Sequence, residues 1–216
     1  ALVTDTALHW IDEHTDRPFF LYVHSIDLHY PYLARAGFEG LVRAGRSGLE
    51  RDSDLYDSEL AYTDRELGRL LDGVRGVQLD QRTTILVTAD HGEEFGEHGS
   101  ARHGHTLFDT LLHVPMILKL AGRTDRRRIE DSVAHVDVMP TLLQLTGSSP
   151  VPGVDGVSLV PILAGKAAEL PAAYSETYQP WTSYGWSPLR AIRHGGWKLI
   201  VAPRPELYRV ELDPQE

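Results

Sequence analysis

Residues Thr83 to Leu120 read TTILVTADHGEEFGEHGSARHGHTLFDTLLHVPMILKL, and five of the chain's eleven histidines fall between His91 and His113. The β-branched apolar run Thr84 to Thr88 predicts a buried strand, which stops where Asp90-His91-Gly92 begins a segment dense in His, Glu and Gly. A charged loop at the carboxyl end of a parallel strand is the usual address of an α/β active site, so this stretch reads as a metal-ligand and anion-binding loop. Adjacent at the strand end, Asp90 and His91 can be aimed at one ion by the backbone turn. A carboxylate and an imidazole suit Ca²⁺, Mg²⁺, Mn²⁺ or Zn²⁺ rather than a soft metal, and two ligands are too few to hold any of them. Taken alone, Asp-His-Gly is equally a structural turn carrying a surface histidine.

The elements that must position this loop are readable on either side of it. Ala7, Leu8 and Ile11 at helical spacing predict a first helix from Thr4 to His14, with Asp5 as its cap. Phe19 to Val23 is a continuous apolar and aromatic run suited to a strand covered on both faces. That strand delivers His24, Asp27 and His29 to its carboxyl end, with His24 expected as a satisfied core residue. Ala34 to Asp52 predicts a surface loop. From Asp54 a long helix is expected, with Tyr56, Leu60, Thr63, Leu67, Leu70 and Val74 as its apolar face and Gly73 and Gly76 at its end.

After the His-rich loop a second strand is expected over Val114 to Leu120. Arg123 to Arg128 reads as a solvated turn, and His135 to Leu143 as a cap followed by a short helix with Pro140 in its first turn. Beyond Gly165 come four short strand-like pieces, Ala173 to Glu176, Leu189 to Arg193, Trp197 to Ala202 and Glu206 to Val210. With Gly195-Gly196 as a tight hairpin turn, they predict a small antiparallel sheet.

Composition narrows the field. A formal net charge of -10 argues against nucleic acid or an anionic membrane surface as the main partner. The absence of cysteine excludes disulfides, thiolate metal sites and a cysteine nucleophile within these residues. No apolar run is long enough to cross a membrane, and both ends of the sequence look cut.

Thr88 to Gly99, with His103-Gly104-His105-Thr106-Leu107-Phe108-Asp109 and His113-Val114-Pro115, resembles the metal-ligand segment of the sulfatase family, within the alkaline-phosphatase-like superfamily. The resemblance extends along the chain. Pro18 to His24 with Asp27 to Tyr32 matches the family's strand leading to a substrate-site histidine. Tyr56 to Gly68 matches a helix, Asp137 to Leu143 and Asp155 to Leu159 a later segment, and Pro203 to Glu216 the terminal sheet.

The resemblance implies an α/β fold with a mixed, largely parallel sheet flanked by helices and a small C-terminal antiparallel sheet. Residues 1–165 would be the carboxyl-terminal half of the catalytic domain, and 166–216 a small antiparallel subdomain. It further implies that Asp90 and His91 bind one divalent cation, with Ca²⁺ expected and Mg²⁺ or Mn²⁺ as alternatives, and that His29 sits by the ester oxygen. His103 and His105 lie where many sulfatases place a lysine that contacts the sulfate, and either could serve in its stead. The implied substrate is a small-molecule or glycan sulfate ester.

A formylglycine or other nucleophile finds no match here. No Cys or Ser followed by X-Pro-X-Arg occurs in the chain, and Ser187-Pro188-Leu189-Arg190 is only superficially similar. The nucleophile is therefore expected outside this chain, which alone should be inactive and should expose a sheet edge or face. Two rivals stand beside sulfate ester hydrolysis: a phosphonate or phosphate ester hydrolase or phosphoglycerol transferase on the same fold, and a non-catalytic relative that only binds. Tyr178, Trp181, Tyr184 and Trp186 could line a sugar or aryl pocket, or pack as a core.

Overall fold

The structure, a computed structural model, describes residues 2–167, 169–213 and 215–216. Two compact units divide it: Ala1–His103 with Val114–Thr124, and Gly104–His113 with Asp125–Glu216.

In the first unit, helix α1 (Leu2–Asp12) and the long helix α2 (Gly48–Gly76) pack through Ile11, Val74 and Leu79, with Trp10, Phe19, Leu21, Leu70 and Ile85 against them. Close approach is possible because residue 73 is glycine: a Cβ there would lie 2.0 Å from Leu8 Cδ2. Helix α2 begins at Gly48, inside the stretch expected to be loop, and its buried face differs from the expected apolar stripe. Leu60 is exposed, whereas Asp54, Ser58, Glu59 and Glu66 are buried. Asp54, Ser58 and Glu59 hold the preceding segment, whereas Glu66 pairs with Arg69 of its own helix. The Arg35 guanidinium meets Glu59 at 2.9 Å and Asp27 at 2.8 Å, the Arg35 backbone N–H donates to Ser58 Oγ, and Arg43 donates to Asp54. Hydrophobic periodicity cannot report a helix face whose burial is compensated by fixed cations.

Strand β1 (Ile85–Thr88) pairs antiparallel with β4 (Met116–Lys119), and a two-residue hairpin, β2 (Glu94–Phe95) with β3 (Ala101–Arg102), forms within the His-rich segment. Among the described residues all strand pairs are antiparallel. Phe19 to Val23 runs without a ladder partner among them, and Phe20 and Tyr22 are 80% and 75% exposed, so the expected two-sided cover is not found. The physical reason is that a strand is a property of a pair, whereas an apolar run is a property of one segment.

The second unit contains α3 (Asp109–Leu112), α4 (Val138–Leu145), α5 (Val160–Leu163) and α6 (Gln179–Tyr184). It also holds an antiparallel sheet in the order β5 (Ala173–Thr177), β6 (Leu189–His194), β7 (Trp197–Val201) and β8 (Glu206–Arg209). The four expected tail strands are present, and Gly195 and Gly196, both at positive φ (55° and 80°), make the turn between β6 and β7. Leu107, Ala191 and Ile200 form its core.

One polar cluster in this unit had no counterpart in the sequence reading. Lys198, 1% exposed, donates to Asp109 Oδ1 at 2.8 Å and to Glu216 Oε2 at 2.9 Å, while Arg193 meets Asp109 Oδ2 at 2.6 Å. Burial raises the Asp109 pKa, but the bonded Lys198 ammonium and Arg193 outweigh it and hold the carboxyl below its ordinary value. Lys198→Met would leave two carboxylates facing each other without their shared cation. The expected cost is about 3–5 kcal/mol, read as a lower denaturation midpoint in urea. A depressed folded pKa contributes stability above the unfolded carboxylate's value of about 3.9, and that contribution is lost as pH falls through the lower folded value. The variant should therefore lose part of the wild type's stability dependence below about pH 4. Unchanged midpoints would show that the cluster contributes no net stability.

Candidate active site

Asp90 and His91 leave β1 at its carboxyl end, which is tied to the start of β4 by the Thr88 hydroxyl donating to Pro115 O at 2.8 Å. The Asp90 side chain is 74% exposed and the His91 side chain 39%, with Oδ2 and Nε2 3.7 Å apart. His91 Nδ1 lies 2.8 Å from Gly92 O, an acceptor only, so it donates there and leaves the Nε2 lone pair available. Partial burial pushes the Asp90 pKa up, but the His91 imidazole and nearby backbone N–H groups outweigh it, so the net shift is downward. His24, expected in the core, is exposed, and its charge also lowers the Asp90 pKa.

These two donors fit a divalent cation. One is an ionised carboxylate, and the other is an imidazole whose second nitrogen is anchored to a backbone carbonyl, the arrangement that orients metal-binding histidines. They do not complete a shell, since no group of three or more His, Cys, Asp or Glu suited to a metal occurs among the described residues.

His29 and His103 join them. The ring of His103 lies 4.1 Å from that of His91 and 5.3 Å from that of His29, so three histidines far apart in sequence share one face of the first unit. Each has its Nδ1 occupied: His29 against Tyr30 O at 2.7 Å, His91 against Gly92 O, and His103 against Glu93 Oε1 at 2.9 Å. Three imidazoles with Nδ1 committed to internal acceptors present three Nε2 atoms for external chemistry. His98 is turned to a different task, 2.8 Å from the buried carboxylate of Glu94.

His105 belongs to the second unit. Its ring is 5.6 Å from that of Tyr184, and among the described residues its buried Nδ1 has no hydrogen-bond partner. The peptide before it is fixed by the Thr177 hydroxyl, which donates to Gly104 O at 2.7 Å. Tyr178, Trp181, Tyr184 and Trp186 are 46–63% exposed, so these rings are not a packed core among the described residues. Of the residues singled out from the sequence, His29, His91 and His103 meet in the first unit; Glu93 was not among them, because its contact with His103 runs across strands. The hairpin motif Gly96 to Gly99 was the one clue to it, because it fixes which residues face each other.

The sulfatase family profile matches residues 1–148, and that of the N-sulphoglucosamine sulphohydrolase C-terminal region matches 96–216. Arylsulfatase K of Mus musculus is 28% identical over 172 residues, covering 74% of this chain and 31% of its own length. Choline-sulfatase of Rhizobium meliloti is 33% identical over 173 residues, covering 78% and 33%. Among solved structures, the phosphonate monoester hydrolase of Agrobacterium radiobacter superposes with a TM-score of 0.65 at 28% identity, covering 78% of this chain and 36% of that one. The chain spans about a third of the length of the relatives it matches. These likenesses give it an α/β, alkaline-phosphatase-like fold ending in a small antiparallel sheet. No helix among the described residues is long and apolar enough to cross a membrane. With the two profiles overlapping across the His-rich segment and together spanning every residue, the chain belongs to the sulfatase family.

Proposed function

We propose that the chain supplies part of the metal site and the leaving-group side of a sulfuric ester hydrolase, with residues 1–165 as the carboxyl-terminal half of its catalytic domain and 166–216 as a small terminal subdomain. The observation that carries this reading is the convergence of His29, His91 and His103, each holding Nδ1 internally and leaving Nε2 free, beside the ionised Asp90. Asp90 and His91 hold one divalent cation, Ca²⁺ before Mg²⁺ or Mn²⁺, which when bound neutralises charge on the anionic ester. His29 carries the proton for the departing oxygen on Nε2, its ring kept in place by Tyr30 O. The anion contact falls to His103 or His105, the two candidates for the position where many sulfatases carry lysine. No residue of this chain is assigned as nucleophile. The substrate is read as a small-molecule or glycan sulfate ester, and the exposed aromatic side chains from Tyr178 to Trp186 as a sugar- or aryl-binding surface of the second unit.

A second reading has its own support. The likeness to a phosphonate monoester hydrolase, together with histidines where many sulfatases carry lysine, favours a phosphoryl ester as the competing substrate. The full-length protein should be assayed with matched aryl sulfate, phosphate monoester, phosphodiester and phosphonate monoester substrates. The expected result is the highest kcat/KM on the sulfate; a strong preference for any phosphoryl ester would overturn the sulfatase assignment.

A further inference from the structure

Glu93 stands between the metal motif and strand β2, and its side chain is 4% exposed. Both of its oxygens are engaged: Oε1 with His103 Nδ1 at 2.9 Å, and Oε2 with the Tyr32 hydroxyl, which donates at 2.5 Å. The contact with His103 follows from the hairpin register. Glu94 pairs with Arg102 and Phe95 with Ala101, so one residue further along on each side places Glu93 opposite His103. Tyr32 is itself 5% exposed, and its ring packs edge-on against Tyr56 at 5.7 Å and lies 5.8 Å from Phe95. The chain Tyr32–Glu93–His103 is therefore anchored at one end in an aromatic cluster and ends at the imidazole that lies between His29 and His91.

We propose that Glu93 is a positioning residue for His103: as a buried acceptor fixed by Tyr32, it takes the Nδ1–H of His103 and fixes the ring so that Nε2, carrying the second proton of the imidazolium, donates to the ester anion. The proposal rests on the reading of His103 as an anion contact. A carboxylate oxygen can only accept, so the hydrogen shared with it must sit on Nδ1. A ring free to rotate would present that Nε2–H to the anion only part of the time, and outer contacts of this kind typically change activity by about 10–100-fold when removed.

The test uses the full-length protein labelled with ¹⁵N-histidine, with His103→Gln identifying the His103 resonances, and spectra taken at a pH where the imidazole is neutral. Wild type should show His103 as the Nδ1–H tautomer. Glu93→Ala, which removes the acceptor, should lose that preference and lower kcat about 10–100-fold, by more than any change in KM. Glu93→Gln keeps an oxygen in place and should restore both the tautomer and most of the turnover. Tyr32→Phe, which frees Glu93 at its other oxygen, should fall between them.

A wild-type His103 found as the Nε2–H tautomer would overturn the proposal without recourse to any variant. So would a Glu93→Ala protein whose tautomer changes while turnover does not. Because the spectra need no substrate, a protein that shows the Nδ1–H tautomer yet hydrolyses no ester would defeat the hydrolase reading alone.

Discussion

Asp90→Ala in the full-length protein is expected to lower metal affinity and turnover together, with kcat/KM falling on the order of 10³-fold. The size follows from the several kcal/mol that a bound cation contributes to charge stabilisation on an ester anion, at about 1.4 kcal/mol per factor of ten. Asp90 is the carboxylate of the pair with His91, and its pKa is lowered despite partial burial, so it is ionised at neutral pH and offers full negative charge to the ion. Its side chain is 74% exposed and tied to its surroundings chiefly through His91, so alanine should leave the fold intact. Metal content after dialysis, measured beside turnover, checks the result. Adding excess Ca²⁺ should recover part of the loss, since affinity is what the variant lacks. Wild-type metal content in an inactive variant would remove Asp90 from the ligand set.

His29→Ala should discriminate between substrates rather than lower all rates equally. A group that protonates the departing oxygen matters in proportion to how poorly that oxygen leaves. For an unactivated alkyl ester the expected loss is about 10²–10⁴-fold, and for a nitrophenyl ester close to none. The structure supports this role because His29 Nδ1 is committed to Tyr30 O, which fixes the ring and leaves Nε2 as the atom able to carry the proton outward. The ring of His103, the proposed anion contact, lies 5.3 Å away. A plot of log kcat/KM against leaving-group pKa should be steeper for the variant than for wild type. Parallel lines would show that His29 binds the anion and donates no proton.

Much of this was legible in the order of residues. The strand Ile85–Thr88 ending at Asp90-His91, the second strand before Leu120 and the four tail strands follow from local apolar patterning and glycine placement, which are properties of short windows. Helix α2 was legible in its existence and not in its face. A stripe of Leu and Tyr was the expected buried surface, yet Asp54, Ser58 and Glu59 are buried instead, because Arg35 and Arg43 arrive from outside the helix to satisfy them. The pattern within one helix carries no record of a cation supplied by another segment.

The His-rich stretch from His91 to His113 shows the same division at the site. Residue types pointed to carboxylate and imidazole chemistry at the end of β1 through Asp90 and His91, and the resemblance to the sulfatase family added His29, His103 and His105 as candidates. Only the tertiary structure decided that His29, 62 positions before His91, shares a face with it, that His103 lies between them in the first unit, and that His105 belongs to the second. Likewise only the fold made Glu93 more than a charge in a loop. A two-residue ladder set it opposite His103, and a tyrosine from a distant segment took its other oxygen. Spacing along a chain fixes which groups one turn can present together, whereas a hydrogen bond between separate segments depends on where packing places both.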